Sequence, residues 1–175
     1  MAAVQNEPMG EPVRLSDLYD DAVVEVYGYL RSRCGTDALA EELTSATFVQ
    51  AALEVSKGTV PNLSVAWLIT VARNKLIDHW RREAMVERKL VLLDGGRIET
   101  VDPWNEVLDG ARARQVLQAI APDHRAALTL RYLDDFSVPE CAEQLGRTVH
   151  ATESLLARAR NAFRTAYEQT GGHDD

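Results

Sequence analysis

SVPECAEQLGRTVHATESLLARAR, residues 137–160, is the stretch that decides the second half of the fold. Ser137 is a helix N-cap candidate, and Glu140, three residues on, completes a capping box. Pro139 is tolerated in a first helical turn. Ala142 is small enough for two helices to cross closely, and Gly146, four residues later, supplies a turn through the left-handed region. A second helix is predicted from about Thr148. A small residue, a four-residue step, a glycine and a new helix make the helix-turn-helix arrangement. A short helical hairpin of no special purpose would carry the same marks. At about 100° per residue, Val149, Thr152, Leu156, Ala159 and Phe163 fall on one side, the predicted buried face. His150, Ala151, Ser154 and Arg158 fall on the opposite arc, which a recognition helix would turn to the major groove. His150 reads equally as an exposed helix-start residue. Glu153 reads either as an acceptor for a cytosine amino group or as the surface partner of Arg160.

Working outward, the helical period persists almost throughout and strand signals are nearly absent. Upstream of the hairpin, Pro122 opens a helix running to Leu133, and another spans about Glu106 to Ile120. LLDGGRIETVDPWN, residues 92–105, breaks the pattern with Gly95-Gly96 and Asp102-Pro103, so about 91–108 is predicted to be a flexible acidic linker. The first half holds three predicted helices. The first opens at Ser16, with Leu18, Val26 and Leu30 among its apolar residues. The second runs from about Asp37 to Val55, with Leu39, Leu43, Ala46, Val49 and Leu53 at helical spacing. The third runs from about Ser64 through Trp80 towards Arg88, after a loop at Lys57–Asn62. The expected architecture is all-α: two small helical domains, the second a helix-turn-helix. The expected boundaries are a disordered tail at 1–14, a domain at 15–90, the linker at 91–108, a domain at 109–168 and a tail at 169–175.

AWLITVARNKLIDHWRR, residues 66–82, carries a second unusual pattern. Val65, Ile69, Ala72, Leu76 and Trp80 form a core stripe. Asn74, Asp78, Arg81 and Arg82 gather on the far side, and Trp67 points with them. An aromatic, an amide and guanidinium groups together suit stacking on unpaired bases and holding a nucleic-acid backbone. Trp67 buried against the 57–63 loop, with Asp78 and Arg82 as an ion pair, is the plainer reading. On the preceding helix, Glu41 and Glu42 sit beside Leu43, with Phe48 further along. That acidic and apolar surface suits a basic protein partner rather than DNA.

The composition bounds the rest. The net charge is −8 over 175 residues, which disfavours free-standing DNA binding. Its distribution is uneven: residues 67–90 hold six basic and three acidic groups and 111–167 hold eight and six, whereas 1–66 hold four and ten. Such a chain should bind DNA weakly alone and need a partner to bring it there. No apolar run reaches the roughly 18 residues of a membrane span, and MAAVQNEPMGEPVR is no secretory signal, so a cytoplasmic protein without membrane insertion is expected. Cys34 and Cys141 match no metal spacing and read as small buried hydrophobes, a redox pair being the minor alternative. His79, His124, His150 and His173 pair with no Cys, Asp or Glu at a metal or nucleophile spacing. Neither a metal, a cofactor nor an enzymatic activity is expected.

ALAEELTSATFVQAAL (residues 38–53), followed by AWLITVARNKLIDHWRR, resembles the second region of extracytoplasmic-function sigma factors, the smallest branch of the sigma-70 family. LTLRYLDDFSVPECAEQLGRTVHATESLLARARNAFR (residues 128–164) resembles their fourth region. The resemblance covers about 15–167. It implies a protein that binds core RNA polymerase, at the β′ clamp and the β flap, and directs promoter recognition and strand opening. It implies polymerase contacts from Glu41, Glu42, Leu43, Thr44 and Phe48. For the minus-ten element it implies Asn62, Trp67, Arg73, Asn74, Lys75, Asp78, Arg81 and Arg82. For the minus-thirty-five element it implies Arg147, Thr148, His150, Ala151, Glu153, Ser154 and Arg158. The linker would thread the polymerase interior, and a separate anti-sigma protein would supply control. The chain departs from the family where Lys and Arg commonly stand at Glu153 and Leu155, which weakens the expected hold on phosphate. A free-standing helix-turn-helix regulator is the competing expectation; it would bind duplex DNA tightly without polymerase.

Overall fold

A computed structural model describes residues 14–60, 62–90 and 110–171; side chains at 88–90 and 171 are not described. The expected N-terminal tail (Arg14 apart), the linker and residues 172–175 of the expected C-terminal tail lie outside the described residues. Those described fold into helices α1 (Leu15–Arg31), α2 (Asp37–Ser56), α3 (Val65–Leu90), α4 (Gly110–Ala119), α5 (Pro122–Leu128), α6 (Val138–Leu145) and α7 (Val149–Gly171). A π-helical turn, Thr129–Leu133, follows α5.

The first unit is α1, α2 and α3, each packed on the other two. Ala22, Val26 and Leu30 recur every fourth residue on α1 and are fully buried. They meet Ala40, Leu43 and Ala51 of α2 and Leu68, Ala72, Leu76, Ile77 and Trp80 of α3. Two threonines enter this core at no unsatisfied cost: Thr44 Oγ1 and Thr47 Oγ1 each donate to the carbonyl four residues back, at 2.7 Å. The predicted apolar positions on α2 therefore split. Leu43 is buried, but Val49 and Leu53 are half or more exposed, because the helix turns its Ala and Thr positions inward where three helices approach closely. On α3 the buried stripe is centred on Leu68, Ala72, Leu76 and Trp80, with Val65 and Ile69 at its margin. Thr36 caps α2, accepting from the Leu39 N–H at 3.2 Å. At α1 the cap is Arg14 rather than Ser16. The Asp17 carboxylate accepts from the Arg14 N–H and guanidinium, and Ser16 Oγ turns to Asp17 instead.

The second unit wraps α4, α5 and α6 around α7. Pro122 occupies the first turn of α5, and the Arg125 guanidinium closes the end of α4 by donating to the carbonyls of Leu117, Gln118 and Ile120 at 2.9, 2.8 and 3.3 Å. The helix predicted to run on to Leu133 instead widens into the π turn after Leu128. The Asp134 N–H bonds back to Thr129 O at 3.0 Å, and Asp135 follows with a left-handed φ of 55°. That widening swings Asp134 out of the unit and against the first one. Cys34 and Cys141 are free and buried, and burial pushes both thiols up to about 11.

The units meet along α3, which packs on α5 and α6. One apolar cluster runs through both without a break. Half-buried His124, on α5, has a buried Nδ1 with no hydrogen-bond partner among the described residues. Burial first, then the nearby Arg158, holds its pKa below 6.5. Above that value the imidazole is neutral folded or unfolded, so it has no effect there. As pH falls below it, the unfolded chain takes up the proton first and stability drops. Urea midpoints at pH 7.5 and 5.5 should therefore fall further for the natural chain than for His124→Gln; equal falls would contradict the burial of a neutral ring.

Candidate nucleic-acid and polymerase interfaces

The helix-turn-helix is built as its residues require. Ser137 N–H donates to Glu140 Oε2 at 2.8 Å and Ser137 Oγ accepts from the Glu140 N–H at 3.5 Å, closing the capping box. The Ser137 hydroxyl, which donates to the same Glu140 Oε2 at 2.5 Å, and then the Ser137 N–H hold the Glu140 carboxyl below its usual range. Gly146 takes φ 61°, ψ 40°, and Ala142 is buried at the crossing. At the start of α7, Thr148 Oγ1 accepts from the Ala151 N–H at 3.2 Å, and the Thr148 carbonyl accepts the buried Thr152 hydroxyl at 3.0 Å.

Outside that scaffold, His150, Glu153 and Arg158 are exposed, with Ala151 and Ser154 half-buried between them. The sequence-predicted arc is thus one continuous surface. Three details differ. Val149 was assigned to the buried face but is 44% exposed, because it precedes the first turn that packs on α6. Glu153 lies 3.9 Å from His150 Nδ1 rather than against Arg160. Arg147 donates to Asp123 Oδ2 at 2.8 Å and so pins the turn to the start of α5. Leu155, where the family commonly has a cation, is 3% exposed. It faces the core, so no phosphate contact is lost there.

The α3 face divides. Asn74, Asp78 and Arg82 are exposed together, with Asn62 exposed on the preceding loop. Asp78 pairs with Arg81 at 3.3 Å, while Arg82 Nε donates to the Asp78 carbonyl at 3.1 Å, so the expected Asp78–Arg82 ion pair is replaced by an adjacent one. Trp67 is half-buried and leans on the core rather than standing free. Lys75 Nζ donates to Gln50 Oε1 at 3.3 Å. Arg73 and Arg81 turn to the second unit: Arg73 Nε reaches Asp134 at 3.3 Å, and Arg81 Nη2 donates to the Gln144 carbonyl beside the helix-turn-helix turn.

Of the set expected to face polymerase, Glu41 and Glu42 are exposed, Phe48 is partly so, and Leu43 and Thr44 are buried. Sequence reasoning missed what lies beside them. An open groove of about 600 Å³ runs between α1 and α2, lined by Tyr19, Val23, Tyr27, Phe48, Val49 and Ala52, with Glu41 on its rim. Tyr19 meets Phe48 edge-on at 4.9 Å. The available signal was the apolar excess on α2: Val49 and Leu53 exceed what its buried stripe needs, and exposed apolar groups that gather mark a contact surface.

Comparison with known proteins decides among the readings. The sigma-70 region 2 profile matches residues 18–85, and the sigma-70 region 4 profile matches 111–163. The chain belongs to the sigma-70 family, in its extracytoplasmic-function branch. It is 33% identical to the ECF RNA polymerase sigma factor BldN of Streptomyces coelicolor, over 91% of this chain and 62% of that protein. It is 29% identical to the ECF RNA polymerase sigma factor SigL of Mycobacterium tuberculosis, over 98% of each. The chain thus spans less than two thirds of BldN's length and nearly all of SigL's. In fold it is similar to a chain of the co-crystal structure of the sigma factor RpoE with the anti-sigma factor NepR from Bartonella quintana. That match has a TM-score of 0.53 at 21% identity, covering 87% of this chain and 95% of that one.

In this sigma factor the two departures from the family pattern have opposite physical settings. Leu155→Lys, which installs the commoner cation, should lower unfolding free energy by about 3 kcal/mol or more, since it removes core packing and buries a charge. Glu153→Lys, on the exposed surface, should leave the urea midpoint unchanged and tighten duplex binding at low salt. A stable Leu155→Lys variant would show that α7 is rotated from the arrangement described.

Proposed function

We propose that the chain binds core RNA polymerase and directs promoter recognition, strand opening and transcription initiation. One observation carries the reading: a single chain presents an exposed helix-turn-helix arc and, on a separate unit, an exposed Asn74–Asp78–Arg82 face beside an exposed loop. Duplex binding alone would need only the first. An amide, a carboxylate and a guanidinium on a helix suit bases already out of the stack.

In this reading, residues 109–168 hold the minus-thirty-five duplex through Thr148, His150, Ala151, Glu153, Ser154 and Arg158, with Arg147 setting the turn. Residues 15–90 capture the opened minus-ten strand through Asn62, Asn74, Asp78 and Arg82, with Trp67, Arg73, Lys75 and Arg81 joining once they are free. Trapping a flipped base offsets an unstacking cost of a few kcal/mol, so opening is driven by binding and no bond is made or broken. The reading makes the protein a non-enzymatic initiation factor, needing no cofactor, in the cytoplasm; among the described residues no helix is long and apolar enough to cross a membrane. The groove between α1 and α2, with Glu41 on its rim, forms together with exposed Glu42 the surface for the polymerase β′ clamp, the second unit serves the β flap, and 91–108 links the two. The structure of similar fold above is that of a sigma factor in complex with an anti-sigma factor, and a protein of the latter kind is proposed as the partner that withholds this one.

Run-off transcription with sigma-free bacterial core polymerase on pooled genomic template tests the reading. Discrete new transcripts are expected, and Asn74→Ala with Asp78→Ala should abolish them while co-elution with core persists. No transcripts, no co-elution, and tight duplex binding by the protein alone would establish a free-standing regulator instead.

A further inference from the structure

We infer that the protein carries its own latch: the Asp134 carboxylate, held by Arg33 and Arg73 across the junction of the two units, withholds the Arg73 and Arg81 cations of the minus-ten face from nucleic acid until the units separate. The inference rests on the proposed function for the role of that face.

The Asp134 side chain is 2% exposed. It sits after the π turn of the second unit, yet its partners all belong to the first. Arg33 Nη2 donates to Oδ1 at 2.7 Å, Arg73 Nε to Oδ2 at 3.3 Å, and Tyr29 Oη to Oδ2 at 3.1 Å. Aromatic rings complete the enclosure: the Arg33 guanidinium lies 3.8 Å from the Tyr29 ring centre and that of Arg73 lies 4.7 Å from Phe136. Burial first, then the Asp134 charge, pushes the Tyr29 hydroxyl well up, so it remains a donor. Around this centre Gln118 Nε2 donates to the Arg33 carbonyl at 2.9 Å, and Arg81 donates to Gln144 O.

Two features make this polar centre the separable part of a junction that apolar contact between α3 and α5 also holds. First, it is incompletely satisfied. Arg33 Nε is buried without a partner among the described residues, and the Glu83–Arg125 pair across the same junction is 3.7 Å apart, too long for a hydrogen bond. Buried charges so placed fix an orientation more than they stabilise it. Second, the residues it occupies are cations on the nucleic-acid face of α3. Arg73 is only 16% exposed in the latch, and Arg81 is drawn to the turn of the helix-turn-helix. While the latch is closed, α3 offers Asn74, Asp78 and Arg82 but not those two charges. Opening restores them. A ligand that needs a minor conformer binds with its affinity reduced by that conformer's fraction.

The full chain tests this with Arg33→Gln and Asp134→Ala, neither of which lies in the proposed DNA or polymerase set. Asp135→Asn is the control: it removes the neighbouring exposed charge and spares the latch. Helicity, solution scattering and affinity for a short single-stranded DNA of mixed sequence are read for each. Both latch variants should keep their helicity, increase in radius of gyration and bind the strand about tenfold more tightly or better. The slope of log affinity against log salt should steepen by up to about 1.4 as two cations are freed; the control should match the natural chain. Arg33→Gln is the sharper case, because it removes a positive charge and simple electrostatics requires weaker binding. A compact variant, an expanded one that binds no more tightly, or loss of helicity in both would overturn the latch. Failure of the natural chain to initiate with core polymerase would instead overturn the functional reading.

Discussion

A single carboxylate organises how the two halves of this chain meet. The Asp134 side chain is almost wholly out of water, and its charge is matched by two guanidiniums and a phenol from α1, the turn that follows it and α3, more than sixty positions earlier in the chain. Unpaired, such a group is among the most costly things a protein interior can hold. Its partners must therefore be present whenever the units are together, and only one docking supplies them. The π turn at Thr129–Leu133 is part of the same constraint: a regular helix carried on to Leu133 would not bring Asp134 out in this direction. Apolar contact between α3 and α5 brings the units together, and the carboxylate sets their register.

This arrangement also accounts for an acidic protein in a nucleic-acid family. The net charge of −8 understates how few cations are available. Arg33 and Arg73 serve Asp134, Arg125 serves the end of α4, Arg147 serves Asp123, and Arg112 lies over the Tyr167 ring at 3.8 Å. Guanidiniums are used here mainly as planar donors that close helix ends and join elements, for which Lys would be a poor substitute. What remains outward on α7, Arg158 with His150 and Ser154, would in the proposed reading contact a duplex but neutralise little of it. The expectation of weak binding alone, drawn from the composition, is strengthened by how the fold uses its cations.

The helix-turn-helix was legible because each feature is local. Ser137, Glu140 and Gly146 act within a few residues, and their bonds form where the spacing placed them. The helices of the first unit were legible in kind, and their caps less so: α1 begins at Leu15 because the Asp17 carboxylate accepts the Arg14 N–H, while the Ser16 hydroxyl, already inside the first turn, donates to that same carboxylate. The faces were harder. Periodicity treats every apolar residue as inward, so Val49 and Leu53 were grouped with Leu43 although two threonines take the buried positions, each satisfied by its own helix. Val149 is exposed for a related reason: it shares the helical angle of the buried face but stands at the very start of α7, where the helix is not yet covered. The junction was not legible at all. Arg73 and Arg81 have the composition of a nucleic-acid face, and nothing near them in sequence announces a carboxylate from the other unit.

The groove between α1 and α2 and the junction at α3 lie on different faces of the same three-helix unit, and this separation has a functional consequence. Tyr19, Val49 and Leu53 are exposed while Arg73 is buried against Asp134, so a protein partner can engage the groove before the units part. Energy from covering that apolar surface is then available to offset breaking the junction, provided the partner also holds the second unit at a distance the closed form cannot span. A partner that grips only the groove has equal affinity for both arrangements and shifts nothing. The polymerase, in the proposed reading, touches both units, at the clamp and at the flap, and it is that double contact rather than the tightness of either one that selects the open chain.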